Sequence, residues 1–248
     1  MIASARSAYI LRRLSEDGVI DYKSIAGELG VSEATARRDF EKLEKEGRLR
    51  RVQGGAVRIG AHTLGELSIL AKNELHAEAK LKVAKAAAEI VQDGESIFLD
   101  CGSSIGPLAQ FLLKRRIHIV TNNSLVLRSN PEEIRADVFV TGGRFHPADQ
   151  MFTGPMTETM LASFTFHHAF IGCMGVDVEK DCVFVTDMEC LALKKLAMSN
   201  AQRSILLADT SKETKRGLFR LAGYRDFDAV YINDDRSGRL YPDNFVVV

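Results

Sequence analysis

Residues Ile25–Ala56 read IAGELGVSEATARRDFEKLEKEGRLRRVQGGA, two helical stretches with a break between them and a short hairpin after them. Ile25, Ala26 and Leu29 recur at helical spacing, Gly30 interrupts them, and Ser32 is placed to cap the next helix through its hydroxyl. That helix carries Ala36, Phe40 and Leu43 inward and is closed by Gly47. Leu49–Ala56 then reads as a hairpin turning at Gly54-Gly55. Upstream, Ile10, Leu11 and Leu14 mark a first helix that ends at Gly18, ahead of the apolar pair Val19 and Ile20, and Asp21 opens the second helix. Together these predict a winged helix-turn-helix over residues 1–58. In such a motif the N-terminal part of the second motif helix reaches base edges and phosphates, here Ser32, Thr35, Arg37 and Arg38. Arg50, Arg51 and Gln53 of the wing suit phosphate or minor-groove contact, which adds affinity without reading much sequence.

Charge points the same way on a local scale. Lys plus Arg and Asp plus Glu balance at 33 each, yet residues 1–60 hold 12 bases against 9 acids. Arg48, Arg50, Arg51 and Arg58 occur with no acidic residue among them. The 248 residues, 46% hydrophobic, are enough for two core-forming domains and exclude collagen-like, disordered and mini-protein classes. Apolar runs such as Phe170–Cys173 and Phe245–Val248 fall far short of the roughly 20 residues of a membrane helix. Residues Met1–Gly18 carry Arg6, Arg12, Arg13, Glu16 and Asp17 rather than an apolar signal segment, so a cytoplasmic chain without a membrane partner is expected. Cys101, Cys173, Cys182 and Cys190 form no C-x-x-C pair and read as reduced, small apolar fillers.

Beyond Gly60 the pattern changes. Residues 59–92 read as a linker and a connecting helix, Glu66–Gln92, whose Ala84, Ala87, Ala88 and Val91 form a stripe for packing onto a second domain, residues 93–248. There, short apolar runs alternate with helical stretches: Ser96–Leu99, Ile117–Val120, Val138–Val140, Ala169–Gly172, Ile205–Ala208 and Ala229–Ile232. Such alternation predicts a mostly parallel, doubly wound α/β sheet. Ligands of these sheets bind beyond the carboxyl ends of the strands. The first such end is DCGSSIGP, Asp100–Pro107, where Asp100, Gly102, Ser103 and Ser104 lead into a helix whose first amides can hold a phosphate. Thr121 and Asn122 follow the second run, Gly142, Gly143 and Arg144 the third, Gly172 and Asp177 the fourth, and Asp209 and Lys212 the fifth. Their convergence predicts a small, polyhydroxylated, anionic ligand, with Lys212 and Arg144 countering its charge.

The N-terminal run closely resembles the DeoR family of bacterial transcription regulators, with Phe40 in place of the usual leucine and Ala36 in place of the usual isoleucine. The C-terminal half is similar to the effector domain of the same family, through LDCGSS, TN, GG, FIGCMGVD and ADTSK in that order. One departure is Glu66-Leu67, where the family has Glu-Arg. The resemblance implies a fold similar to ribose-5-phosphate isomerase and a phosphorylated sugar as allosteric effector, with no other cofactor. It also implies a repressor that releases operator DNA on binding that effector, and near-palindromic operators imply an even-numbered homo-oligomer, a dimer or tetramer.

An active sugar-phosphate isomerase with an appended DNA-binding-like module is the competing reading. Asp177 and Glu189 could serve as the carboxylate base that aldose–ketose exchange needs. The isomerases carry a Lys-Gly-Gly-Gly-Gly run between the matching positions, whereas Val183-Phe184-Val185-Thr186 stands here, so no catalytic residue is assigned. A third reading keeps the regulator and gives its sensor a non-phosphorylated ligand or a protein. No metal site is expected, since His167 and His168, adjacent in a strand, point to opposite faces.

Overall fold

The computed structural model describes residues 3–17, 19–46, 48–52, 55–57, 69–128, 134–234 and 238–248. The chain folds as two compact units, Met1–Leu75 and His76–Val248.

In the first unit, α1 (Ala3–Asp17), β1 (Val19–Asp21), α2 (Tyr22–Leu29) and α3 (Glu33–Lys45) enclose a core that includes Ile10, Leu14, Ile25, Phe40 and Leu43. Both ends of α2 and the start of α3 have a local cause. Asp21 Oδ1 accepts the Ser24 N–H at 2.7 Å and starts α2. Gly30, at φ +63°, stops it by sending the Val31 N–H to the Ala26 carbonyl at 3.0 Å and its own N–H to the Gly27 carbonyl at 3.3 Å. Ser32 Oγ accepts the Thr35 N–H at 3.2 Å and starts α3. Two ionic clasps then hold α1. Arg6 donates from Nε at 2.6 Å and Nη2 at 3.1 Å to the buried Asp39 of α3. Arg13, Tyr9 and Ser24 all donate to Glu28 of α2, which lowers its carboxyl pKa to about 2.

The wing consists of β2 (Arg50–Val52) and β3 (Gly55–Val57), and with β1 it makes an antiparallel sheet of order β1-β3-β2. The register pairs Val52 with Gly55, so Gly55 is a strand residue rather than half of the expected Gly54-Gly55 turn. A Cβ on Gly55 would fall 2.1 Å from the Ile20 carbonyl oxygen, so the glycine permits the close approach of β1. Gly18, Gly47, Gln53, Gly54, Arg58, Glu66 and Leu67, with the side chain of Arg50, lie outside the described residues. The single connecting helix expected over Glu66–Gln92 is instead two, α4 (Ile69–Glu74) and α5 (Ala77–Ala88). Between them His76 takes the left-handed conformation at φ +54°, which interrupts the helical ladder with no glycine or proline to announce it.

From α5 the second unit runs through β4 (Ser96–Leu99), α6 (Ile105–Leu112), β5 (His118–Thr121) and β6 (Asp137–Val140). Next come the hairpin of β7 (Arg144–His146) and β8 (Met151–Thr153), then α7 (Pro155–Ala162), β9 (Phe166–Gly172), β10 (Gly175–Asp177) and β11 (Cys182–Val185). The chain ends with α8 (Met188–Ser199), β12 (Ala201–Leu207), β13 (Phe219–Ala222), β14 (Ala229–Ile232) and β15 (Phe245–Val247). Among the described residues the main sheet has seven strands, all parallel, in the order β15-β14-β12-β9-β4-β5-β6. Its interior strands alternate between two cores. Ile97, Leu99, Ile119 and Ile205 face α5 and α6, while Phe98, Val120, Ile171 and Leu206 share the other core with Leu161 of α7 and Leu193 of α8. The six expected runs all lie in this sheet, and Phe245–Val247 adds a seventh edge strand that the sequence reading did not assign. The second small sheet, β10-β11-β13, was likewise unread. No described helix is long and apolar enough to cross a membrane.

Candidate functional site

On the first unit, α3 presents its cationic start to solvent. Arg37 and Arg38 are exposed, and the Arg37 guanidinium lies 5.3 Å from the centre of the Tyr22 ring, which itself packs on Phe40. Ser32 is exposed and Thr35 partly so, their hydroxyls 2.9 Å apart. Arg51, expected to contact phosphate or the minor groove, is held by acidic residues of the same unit. Its Nε donates to Glu44 at 2.8 Å and its Nη1 to Glu41 at 2.8 Å, while its backbone N–H donates to Glu44 at 2.9 Å. That geometry fixes the wing against α3 and leaves Arg37 and Arg38 as the less encumbered cations.

In the second unit the strand order reverses between β4 and β9, the place where open parallel sheets form their crevice. The loops after these two strands meet there. Gly102 and Gly172 are back to back, and a Cβ on either would come within 3.3 Å of the other's Cα. Asp100, 1% exposed, accepts the Gly172 N–H at 2.8 Å and the ammonium of Lys194, which reaches in from α8 and is 5% exposed. Lys194 also donates to the Gly172 carbonyl at 3.1 Å. Burial works against this ammonium, yet Asp100, together with Cys101 and Cys190, offsets it and holds the pKa above the ordinary lysine value. Half-buried Cys173 reports on the same neighbourhood. Burial pushes its thiol up to about 11, with Lys212 and Lys194 pulling downward and Asp209 and Asp100 upward.

The other strand ends supply buried polar groups. Thr121 Oγ1 donates to the Leu99 carbonyl at 2.6 Å and accepts the Asn123 N–H at 3.0 Å, and Asn123 Nδ2 donates to the Asp100 carbonyl at 3.3 Å. Asn122 Nδ2 donates to the Phe152 carbonyl at 3.2 Å. Three buried atoms, Asn122 Oδ1 after β5, Thr141 Oγ1 after β6 and Asp209 Oδ2 after β12, have no hydrogen-bond partner. Ser103 and Ser104 are buried at the start of α6, and Lys212 is buried in the turn after β12.

Several expected ligand residues are committed elsewhere. Arg144, foreseen as a counter-charge, donates from Nη2 to both Glu189 oxygens at 2.9 and 3.0 Å, and Thr153 and His146 share that carboxylate. Asp177 accepts from Arg216 at 2.9 Å and from the Lys180 N–H at 3.0 Å, closing the turn between β10 and β11. The Gly142 carbonyl accepts the Thr157 hydroxyl at 2.7 Å, and Gly143, at φ +102°, presses against Thr153 and Thr157. Sequence reasoning missed Lys194, while Asn123 lies at the strand end it singled out with Thr121 and Asn122. The pattern offered no signal for Lys194, one of two adjacent lysines on α8.

The family model of the DeoR-like helix-turn-helix domain matches residues 6–61, and that of the DeoR C-terminal sensor domain matches residues 75–234. The chain belongs to the DeoR family. Among its relatives, this DeoR-family chain is 32% identical to the lactose phosphotransferase system repressor of Lactococcus lactis, over 82% of this chain and 80% of that protein. It is 30% identical to the L-fucose operon activator of Haemophilus influenzae, over 96% of this chain and 93% of that protein. A ribose 5-phosphate isomerase from Methanocaldococcus jannaschii aligns with 55% of the chain and 54% of its own length at 21% identity and a TM-score of 0.40.

Proposed function

We propose that this DeoR-family chain represses a sugar or related catabolic operon in the cytoplasm. It binds near-palindromic operator DNA through the start of α3 as an even-numbered homo-oligomer. A phosphorylated sugar in the crevice at the β4–β9 reversal relieves that repression. The three unpaired buried atoms at separate strand ends carry the reading: two are acceptors and the third is a hydroxyl. An unsatisfied buried polar group costs about 1–3 kcal/mol. The hydroxyls of a sugar are the donors that Asn122 Oδ1 and Asp209 Oδ2 lack. Ser103, Ser104 and the first amides of α6, with Lys212, suit the phosphate. The names of the relatives agree with a sugar-operon regulator.

Catalysis is not part of the proposal. The two carboxylates that an isomerase could use, Asp177 and Glu189, are both bound by arginines. Effector and DNA are coupled through a population shift of about 1–3 kcal/mol, equal to about 5- to 150-fold in DNA affinity. The test is a thermal-stability screen of sugar phosphates, followed by titration of operator release. A hit should stabilise the wild type and release DNA, and Lys212→Ala should bind it about tenfold or more weakly while keeping effector-free DNA binding. If no sugar phosphate stabilises the protein, the effector reading fails, and if the wild type isomerises its own hit, the non-catalytic reading fails. One relative is named an activator, so a reporter strain lacking the protein reads the sign: higher operon expression supports repression.

A further inference from the structure

Three sulfur atoms gather beside the crevice in a small buried cluster of their own, Cys101, Met151 and Cys190. Cys101 follows β4, Met151 opens β8 and Cys190 lies in the first turn of α8, so three separate elements deliver them. Cys101 Sγ is 4.0 Å from Cys190 Sγ, and Cys190 Sγ is 3.4 Å from Met151 Sδ. Two sulfurs about 2.3 Å from a common ion and separated by 120° lie about 4.0 Å apart. The thiol pair already has that spacing. From Cys190, Met151 would need to withdraw by about half an ångström to reach the same spacing, within reach of an unbranched side chain with three rotatable bonds.

We propose that Cys101, Cys190 and Met151 form a three-coordinate site for a soft monovalent d10 ion, Cu(I). Two thiolates and a thioether are the ligand set that selects Cu(I), whereas a structural zinc site takes four nitrogen, sulfur or oxygen ligands. Among the described residues no cluster of three or more His, Cys, Asp or Glu is placed to hold a metal. Binding replaces the two thiol protons: two Cys–SH and one Cu(I) give a bis-thiolate complex of net charge −1 and two released protons, with no change of oxidation state. Lys194, paired with Asp100, is the nearby cation whose charge favours the thiolate form of Cys190. Cys101 also points its Sγ at Asp100 Oδ1 at 3.5 Å, and Asp187 acts on Cys190, so the charges around the site are of both signs. The inference does not depend on the identity of the effector.

The experiment is an anaerobic titration of the full-length reduced protein with tetrakis(acetonitrile)copper(I) against a chromophoric Cu(I) chelator. The wild type should retain one equivalent, release about two protons per ion and show a shell of three sulfurs near 2.3 Å by X-ray absorption. Cys101→Ser and Cys190→Ser should each abolish retention. Met151→Leu should weaken it by at least the 10- to 100-fold that loss of an outer-shell group costs a metal site. Cys182→Ser, on β11, should leave it unchanged. Calorimetric melting of every variant separates loss of the site from loss of the fold, and Met151→Leu, an apolar replacement of similar volume, keeps the test decisive if the serine variants unfold. No retained copper in the wild type, a shell with nitrogen or oxygen in place of sulfur, or full retention in folded Cys101→Ser would overturn the assignment and return the cluster to plain packing.

Discussion

Lys194→Met removes one half of the buried pair that joins α8 to the loops after β4 and β9. It leaves the Asp100 carboxylate, 1% exposed, with the Gly172 N–H at 2.8 Å and the Cys101 thiol at 3.5 Å as its remaining donors. Stranding a buried charge in this way costs about 3–5 kcal/mol. For a domain of this size each kcal/mol moves the melting temperature by about 2–4 °C, so the second unit should melt about 6–20 °C lower. The double variant Asp100→Leu/Lys194→Met strands neither charge and should recover most of the loss, with a coupling of about 2–3 kcal/mol in the cycle. Because the chain has no tryptophan, calorimetry is the direct assay. The folded pKa of Lys194 is raised above its unfolded value, so its contribution is complete below about pH 10 and is lost only as pH rises through the folded pKa; pH 7.5 therefore reports the full effect. A single variant within 1 kcal/mol of wild type, or a double variant no better than the sum of the two singles, would refute the claim that this pair organises the crevice.

Arg37→Ala and Arg38→Ala should each weaken operator binding by about 1–3 kcal/mol at fixed salt while leaving the melting of the first unit intact, and unchanged anisotropy titrations for both would remove α3 from the interface. Gly55→Ala drives a methyl into the Ile20 carbonyl, so it should destabilise the first unit by about 1–3 kcal/mol or more and weaken DNA binding; a wild-type melting curve would show that β1 and β3 are not held together as described. His168 is buried against Glu95 and Phe170, and burial lowers its pKa despite the 3.2 Å contact with Glu95. The unfolded chain therefore takes up its proton first on acidification, and stability should fall as pH drops below about 6.5. His168→Gln should flatten the urea-midpoint profile between pH 7.5 and 5.5; an equally steep profile in the variant would assign the loss to other groups.

Features set by neighbours in the chain were legible without coordinates. Asp21, Gly30 and Ser32 cap or stop helices through bonds within five residues, and six runs of apolar residues became strands because burial on both faces demands them. The strand ends at Asp100, Asn122, Thr141 and Asp209 could be located for the same reason. What those residues do there was settled by pairings that local pattern does not encode. Lys194 meets Asp100 across 94 positions, and Arg144 is drawn to Glu189 across 45. Gly55 is a strand residue because β1 arrives beside it, and His76 breaks a helix that propensity alone would have continued. Periodicity and capping act over a turn or two of chain, whereas the reversal of strand order between β4 and β9 decides which distant side chains share a buried crevice and must satisfy one another's charge.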